Sequence, residues 1–429
     1  MHLSTRGLAA AVLFALVPAV QAQDIAPGFA TVERHAMPVF AVQATLADGT
    51  YFQFDGAAFT LHAADGTLLA NLGTLPGQVF PSFARLDPGE TYALVGESSN
   101  GDVFAVDLAG GGFTLVANVP LNYDAVFEDA GHALLSVGTF APRTRIERLD
   151  VATGVRDLVA RVQGFQGPLA LDALGRLYYV TQATVFPTPP GSLEILRWSA
   201  AQIASGAVLG EADAAVVVDG LDGGSSLAID PPSQNLVLAE LNASGAIPDR
   251  IRILSPRGEP LGEVASTSVT LGQLDVRSGS GTGELRAFQP AGSRLACVVT
   301  DFNVFAADRI VLEPARPTAT LTGPGVGRGA MTLTIEGAAP DAAVAVYFGS
   351  VADLVPGELV LHGPFDFAFH TALPLAKTRR TAFLTPTDGT GTAVFQYFDP
   401  GNLHGTLVFQ SLLYDADLAP VGTSAYVLN

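Results

Sequence analysis

The stretch LALDALGRLYYV, residues 169–180, returns as LAIDPPSQNLVL at residues 227–238. In each copy a short apolar alternation leads into an Asp and turn-forming residues, then into a second apolar run, which is the pattern of a β-hairpin. The same unit can be placed at Thr45–Phe54, Ala84–Val95, Val126–Val137 and Arg286–Val299. With Leu46, Asp87, Glu128, Asp172, Asp230 and Gln289 taken as equivalent, the successive offsets are 41, 41, 44, 58 and 59. A chain that repeats itself at this period is restricted to stacked units, because one such unit cannot cover its own apolar faces.

A second strand-like element follows each hairpin, for example TRIERLDVATGVRDLVARV, SLEILRWS and DRIRILSPRGEPLGEVA. The two DRI copies start at Asp249 and Asp308, again 59 residues apart. Hairpin plus hairpin makes a four-stranded antiparallel sheet, and radial repetition of six such sheets predicts an all-β six-bladed β-propeller. The fourth and fifth units are longer than the others, so loops are expected at Ala183–Ser192, Asn242–Asp249 and Thr267–Gly283. The last unit lacks a clear fourth strand, and Phe29–Met37 is the expected donor. A rival alignment makes residues 269–277 the innermost strand of the sixth unit and needs no such closure.

Residues 1–22 have the form of a cleavable secretory signal. His2 and Arg6 precede the apolar run GLAAAVLFALVPAV, and Val20 and Ala22 are compact residues where a signal peptidase reads. The run is shorter than a membrane span. The expected mature chain begins near Gln23 and is secreted or periplasmic. Loss of Arg6 moves its formal charge from −19 to −20. A surface this acidic repels phosphates, which excludes nucleic acid as an expected partner. Cys297 is the only cysteine, so no disulfide forms within the chain, and it reads as a buried small hydrophobe. Lys377 is the only lysine.

GPLALDALGRLYYV followed by LEILRW, and LAIDPPSQNLVLAEL followed by DRIRIL, resemble the NHL and gluconolactonase-like group of six-bladed propellers over residues 29–314. That resemblance implies a central channel. In the calcium-dependent lactonases of the group it carries a Glu, Asn and Asp set. Here the corresponding loops and inner strands offer Ser82, Asn122, Asp124, Gln166, Ser226 and Gln273, with one acid and no Glu. These six are the candidate binding residues at the channel mouth.

After the Pro-rich EPARPTAT, residues 316–429 alternate in the strand manner between Gly and Pro turns, which predicts a small immunoglobulin-like β-sandwich after a propeller spanning 27–315. YFDPGNLHGTLVFQSLLYDADL also resembles a terminal sandwich of secreted bacterial proteins, which implies an accessory module. In HGPFDFAFH, His362, Asp366 and His370 stand at even offsets that would share one face of a single strand. The alternating Phe residues mark that segment as core instead. DGLDGGSS, with Asp219 and Asp222, resembles part of a calcium loop but lacks its ligand spacing and closing acid. GPGVGRG lacks the strand-to-helix context of a phosphate cradle, and neither Gly-x-Ser-x-Gly nor His-Glu-x-x-His occurs. Asn242 is formally a glycan acceptor.

Two functional classes follow. The first is a secreted non-catalytic binding or scaffold protein that uses the propeller-face loops to hold a ligand or protein partner. The alternative is an exported lactonase-like hydrolase or lyase acting at the channel, with Asp124 as its acid. Calcium is the only cofactor that enters either reading.

Overall fold

The computed structural model describes residues 23–25, 29–139, 141–185, 188–231, 234–242, 248–278, 293–314, 318–323, 329–338, 340, 342–350, 358–362, 367–371, 379–380, 384–399, 407–414, 420–423 and 427–428. The signal-like segment 1–22 and the GPGVGRG residues 324–328 lie outside them. The chain is almost entirely β, arranged in antiparallel sheets. No helix among the described residues is long and apolar enough to cross a membrane.

The first two strands, β1 (Gln23–Ile25) and β2 (Phe29–Met37), belong to sheets that the chain completes much later. Sheet one holds β3 (Val42–Thr45), β4 (Tyr51–Phe54), β5 (Ala58–His62) and β6 (Leu68–Thr74) in sequence order. Sheet two follows with β7 (Pro81–Leu86), β8 (Tyr92–Glu97), β9 (Asp102–Asp107) and β10 (Phe113–Asn118). Sheet three has β11 (Asn122–Phe127), β12 (His132–Gly138), β13 (Arg143–Asp150) and β14 (Arg156–Gln163). Sheet four has β15 (Leu169–Leu171), β16 (Leu177–Val180), β17 (Leu193–Trp198) and β18 (Ala215–Leu221). Sheet five has β19 (Gly224–Ile229), β20 (Leu236–Glu240), β21 (Asp249–Leu254) and β22 (Pro260–Thr267), with β1 added on its outer edge. Sheet six has β23 (Thr270–Ser278), β24 (Ser293–Asp301) and β25 (Ala306–Pro314), with β2 as its fourth strand.

The recurrent Asp closes the first hairpins. Asp87 accepts the N–H groups of Gly89, Thr91 and Tyr92 at 2.6–2.9 Å, and Asp172 those of Leu174 and Arg176 at 3.0 and 2.9 Å. A short carboxylate that caps its own turn is what the position needs. In the third unit Asp129 takes this part, one residue beyond Glu128, accepting from Gly131 and His132.

The sixth unit departs from expectation in one place. Thr270–Ser278 is its first strand and pairs with β24, so the described part of the expected loop Thr267–Gly283 is largely strand, and the strand partner of Ser293–Val299 is this segment and not one supplied from within Arg286–Val299. The extra length falls between β23 and β24, in residues 279–292, which lie outside the described residues. β2 nevertheless supplies the fourth strand. The expected donor Phe29–Met37 and the first strand of the rival alignment thus occupy opposite edges of one sheet. In the fourth unit a segment holding a short helix α1 (Ala200–Ile203), capped by Ser199, separates β17 from β18 in addition to the expected loop before β17.

The six first strands touch in cyclic order: β3 with β7, β7 with β11, and so on through β23, which returns to β3. Apolar clusters fill successive sheet-to-sheet spaces. Phe52, Phe59, Val95 and Phe104 lie between sheets one and two, and Leu134, Ile146, Tyr179 and Trp198 between three and four. Val237, Ile251, Leu274 and Ile310 lie between five and six.

The space between sheets six and one is different. Its apolar cluster is small, with Met37, Ala41, Val298 and Ala307, and beside it sits Arg309, only 1% exposed. The Arg309 guanidinium donates to Gln43 Oε1 at 2.5 Å, to Glu33 Oε2 at 3.0 Å and to Thr45 Oγ1 at 3.3 Å, and lies 4.1 Å from the centre of the Tyr51 ring. Three of these four partners come from sheet one and Glu33 from β2, so one buried cation ties sheet six to sheet one.

The remaining described strands form three further sheets. β26 (Thr318–Thr322), β27 (Gly329–Glu336) and β33 (Ala393–Asp399) make one. β28 (Ala343–Ser350), β31 (Arg379–Arg380), β32 (Thr385–Pro386), β34 (Leu407–Tyr414), β35 (Pro420–Thr423) and β36 (Val427–Leu428) make another. Leu333 and Ile335 of the first share a core with Val344, Val346, Phe409 and Leu413 of the second, in the manner of packed layers. β29 (Glu358–His362) and β30 (Phe367–Thr371) form a separate hairpin. Asp366 lies outside the described residues. His362 pairs with Phe367 and His370 with Leu359, so the even-offset argument, which requires one continuous strand, does not apply to this segment.

Candidate functional site

The end at which the six first strands begin is the candidate site. At this end β7, β11, β19 and β23 each carry a register shift, between Pro81 and Phe83, Asn122 and Asp124, Gly224 and Ser226, and Leu271 and Leu274. A bulge at the same place in four sheets leaves an extra residue unpaired in the ladder. Five of the six sequence-predicted mouth residues lie in these strands, and Gln166 lies in the connection into β15.

Three of the six do one job. Asp124, Ser226 and Gln273 stand at equivalent positions, and each accepts the N–H of the corresponding residue in the next sheet. Asp124 Oδ2 takes Leu169 N at 2.9 Å, Ser226 Oγ takes Leu274 N at 3.0 Å, and Gln273 Oε1 takes Gln43 N at 2.9 Å. These N–H groups face a neighbouring sheet instead of a strand partner, and a buried donor without an acceptor costs about 1–3 kcal/mol. The side chains therefore stitch sheet to sheet. Asn122 and Gln166 share another role, resting on a glycine of the preceding sheet. A Cβ at Gly96 would lie 2.4 Å from Asn122 Oδ1, and one at Gly138 would lie 2.5 Å from Gln166 Oε1. Ser82 donates to Asn122 Oδ1, and Asn122 Nδ2 donates to Glu97 O at 2.8 Å and Val119 O at 2.9 Å.

Asp124 is the one carboxylate among the six. Its oxygens also accept from Arg85 Nη2 at 2.7 Å and from Ala125 N at 2.8 Å. Burial pushes its carboxyl above the usual range, while the Arg85 charge and then the two backbone N–H groups act in the opposite direction. A calcium ion takes six to eight oxygens from a flexible shell. This donor set, one carboxylate already directed at Arg85, three carboxamides and two hydroxyls, does not fit that shell as arranged.

Two side chains reach past the adjacent sheet. Tyr123, on the bulge of β11, donates its hydroxyl to Ser225 O of sheet five at 3.0 Å. Gln273 Nε2 donates to Ala84 O of sheet two at 3.0 Å. Burial pushes the Tyr123 phenol well above its ordinary range, so it stays a neutral donor. Replacing Tyr123 with Phe is expected to cost about 1–2 kcal/mol, since Ser225 O loses its donor and the packing survives; urea unfolding monitored by circular dichroism measures it.

Residues that the sequence reading passed over stand at the same end. Phe40 and Phe80 lie in the connections into β3 and β7, and Phe302 and Phe305 in the turn between β24 and β25, at the end where β23 begins. Their rings form one cluster around Phe40, with centroids 5.9 Å to Phe80, 5.8 Å to Phe302 and 6.0 Å to Phe305. All four are exposed, Phe80 to 62% and Phe305 to 65%. Phe40 and Phe305 adopt φ of 69° and 54°, a left-handed conformation that a bulky residue rarely holds. The signal available in sequence was a Phe beside turn residues just before a predicted inner strand, as in MPVFAV and GQVFPS.

Asp219 is exposed near the end of β18, and Asp222 follows that strand and accepts Gly191 N at 2.7 Å. Among the described residues no three His, Cys, Asp or Glu side chains form a group able to hold a metal ion. Cys297 is buried in β24 and burial pushes its thiol up to about 12.

No family model matches the chain, and no curated protein matches it. Among solved structures, a gluconolactonase from Xanthomonas campestris is 15% identical with a TM-score of 0.48, covering 68% of this chain and 96% of that one. Regucalcin from Agrobacterium tumefaciens, a calcium-binding protein, is 16% identical with a TM-score of 0.42, over 67% of this chain and 96% of that one. A β-propeller domain from Myceliophteria thermophila is 12% identical with a TM-score of 0.39, over 62% and 82%. The likeness is a distant one of fold and assigns no activity.

Proposed function

We propose that the six sheets form a closed six-bladed β-propeller, followed by an immunoglobulin-like accessory sandwich, and that the exported protein is a non-catalytic binding module. Its binding face is the mouth end, and its contact surface is the Phe40, Phe80, Phe302 and Phe305 cluster. The observation that carries this reading is the pairing of that exposed, conformationally strained cluster with a mouth whose polar groups are turned inward onto neighbouring sheets. Exposed apolar patches rimmed by polar residues mark interaction sites, and a rigid scaffold holds such loops in place without cost on binding. The rings meet edge to face or tilted, so they present a knob and not a flat plate, which suits an apolar recess in a partner.

Nile red tests the surface. The folded protein is expected to bind the dye, and Phe80→Ser with Phe305→Ser to lower that signal about fivefold, because most of the exposed apolar area goes. Stability is expected to change by only about 0.5 kcal/mol, as for other surface substitutions. A double variant that keeps the full signal overturns the assignment.

A second reading is favoured by Asp124, a buried carboxylate whose proton affinity burial raises beside a guanidinium, an arrangement also met in acid–base sites. On that reading the protein is a lactonase-like hydrolase or lyase. Titration with calcium and with a sugar-acid lactone, followed by thermal shift, separates the two, since a ligand of the native state raises the melting temperature. A rise that Asp124→Asn abolishes would favour the enzyme.

A further inference from the structure

We infer that the outer half of sheet three carries an oxyanion-binding site formed by Arg143, Arg145 and Arg161. The site is separate from the mouth and does not rest on the binding reading above. In the register of β13 and β14, Arg145 stands directly opposite Arg161, and Arg143 is two residues further along the same strand. Directly paired residues share a face of the sheet, as do residues two apart, so three cations lie on one surface. Like charges directly opposite one another destabilise a sheet.

The neutralisation on this face is incomplete. Glu147 Oε1 lies 3.2 Å from Arg145 Nη1, but Oε2 of the same carboxylate is taken by Arg156 Nη1 at 2.9 Å. Arg143 and Arg161 are exposed and form no ion pair among the described residues. Arg145 Nε is buried and has no hydrogen-bond acceptor. Arginines elsewhere are held differently: Arg34, Arg85, Arg148, Arg176, Arg250 and Arg309 each contact a carboxylate. In a chain with 41 acidic and 22 basic residues, an acid for Arg143 and Arg161 was easy to supply.

An orphaned donor inside a cluster of like charge calls for a partner. Guanidinium groups present planar forks that suit carboxylate, sulfate or phosphate oxygens. The ligand class is therefore an oxyanion, either a free ion or such a group carried on a larger molecule.

The experiment compares sodium sulfate and sodium acetate with sodium chloride at equal ionic strength, with melting temperature as the readout. Equal ionic strength is needed because screening alone also relieves the repulsion. Sulfate or acetate is expected to raise the melting temperature above the chloride value. Arg161→Gln is expected to raise it in chloride, since the like-charge pair is gone, and to remove the oxyanion increment. Arg143→Gln is expected to weaken the oxyanion response about tenfold, as loss of a charge-assisted contact does. Equal curves in all three salts, or a lower melting temperature for Arg161→Gln in chloride, overturn the site. If sulfate responds, repeating the titration with an oligogalacturonate tells a carried group from a free ion.

Discussion

A chain that begins after Met37 is expected to lose cooperative folding at 25 °C. β2 runs the whole length of β25, from Phe29 opposite Pro314 to Met37 opposite Ala307. Its removal leaves β25 with an open edge, takes Glu33 from Arg309 and Arg294, and takes Met37 from the apolar cluster between sheets six and one. A net contribution of about 1 kcal/mol for each ladder hydrogen bond, added to an unpaired buried charge, makes the loss roughly 5–10 kcal/mol. That is comparable with the whole stability of an ordinary domain. Guanidinium unfolding monitored by circular dichroism, run on the truncated and full chains, measures it. A truncated chain with the full-length midpoint would sink the proposed ring closure.

Arg309→Ala carries the second-largest effect, about 3–5 kcal/mol, the usual cost of removing one member of a buried ionic network. The loss has several parts. Glu33 keeps one longer contact, to Arg294 at 3.4 Å. Gln43 Oε1 is left buried, and the Tyr51 ring loses its cation. Lys cannot replace the planar fork that reaches three oxygens, so Arg309→Lys is expected to recover only part of the stability. Pairing Arg309→Ala with Glu33→Ala isolates their coupling, and two effects that simply add would show that the seam is held by packing and not by this network.

The two predictions bear on what could be read in advance. The hairpin period was legible because the contacts that make a hairpin lie within a dozen residues. An Asp such as Asp87 or Asp172 caps a turn formed by its immediate neighbours, and the apolar runs on either side pair locally. The missing fourth strand of the last unit was legible for the same reason, as a count of local elements. The first strand of the sixth unit was left between two alignments, Arg286–Val299 and residues 269–277, because 14 residues separate β23 from β24. Local pairing then favours the nearer segment at Arg286, whereas the observed partner of β24 is Thr270–Ser278.

The site divides in the same way. That Ser82, Asn122, Asp124, Gln166, Ser226 and Gln273 stand at the entrance to first strands follows from the period. What they do there depends on the adjacent sheet. The N–H that each of Asp124, Ser226 and Gln273 accepts lies 45, 48 and 230 residues away, respectively. Tyr123 reaches a carbonyl 102 residues off. A polar side chain at such a position reads alike whether it faces a ligand or a neighbouring backbone.

By itself, the order of residues determined the β-rich class, the number of repeating units and the single cysteine, because periodicity and turn chemistry are local and composition needs no geometry. Only the tertiary structure decided which N–H each mouth residue satisfies, that the joint between sheets six and one is built on a buried guanidinium, and that four phenylalanines meet on the surface. Those outcomes depend on distances between segments far apart in the chain, and such distances exist only once the sheets have come round to meet.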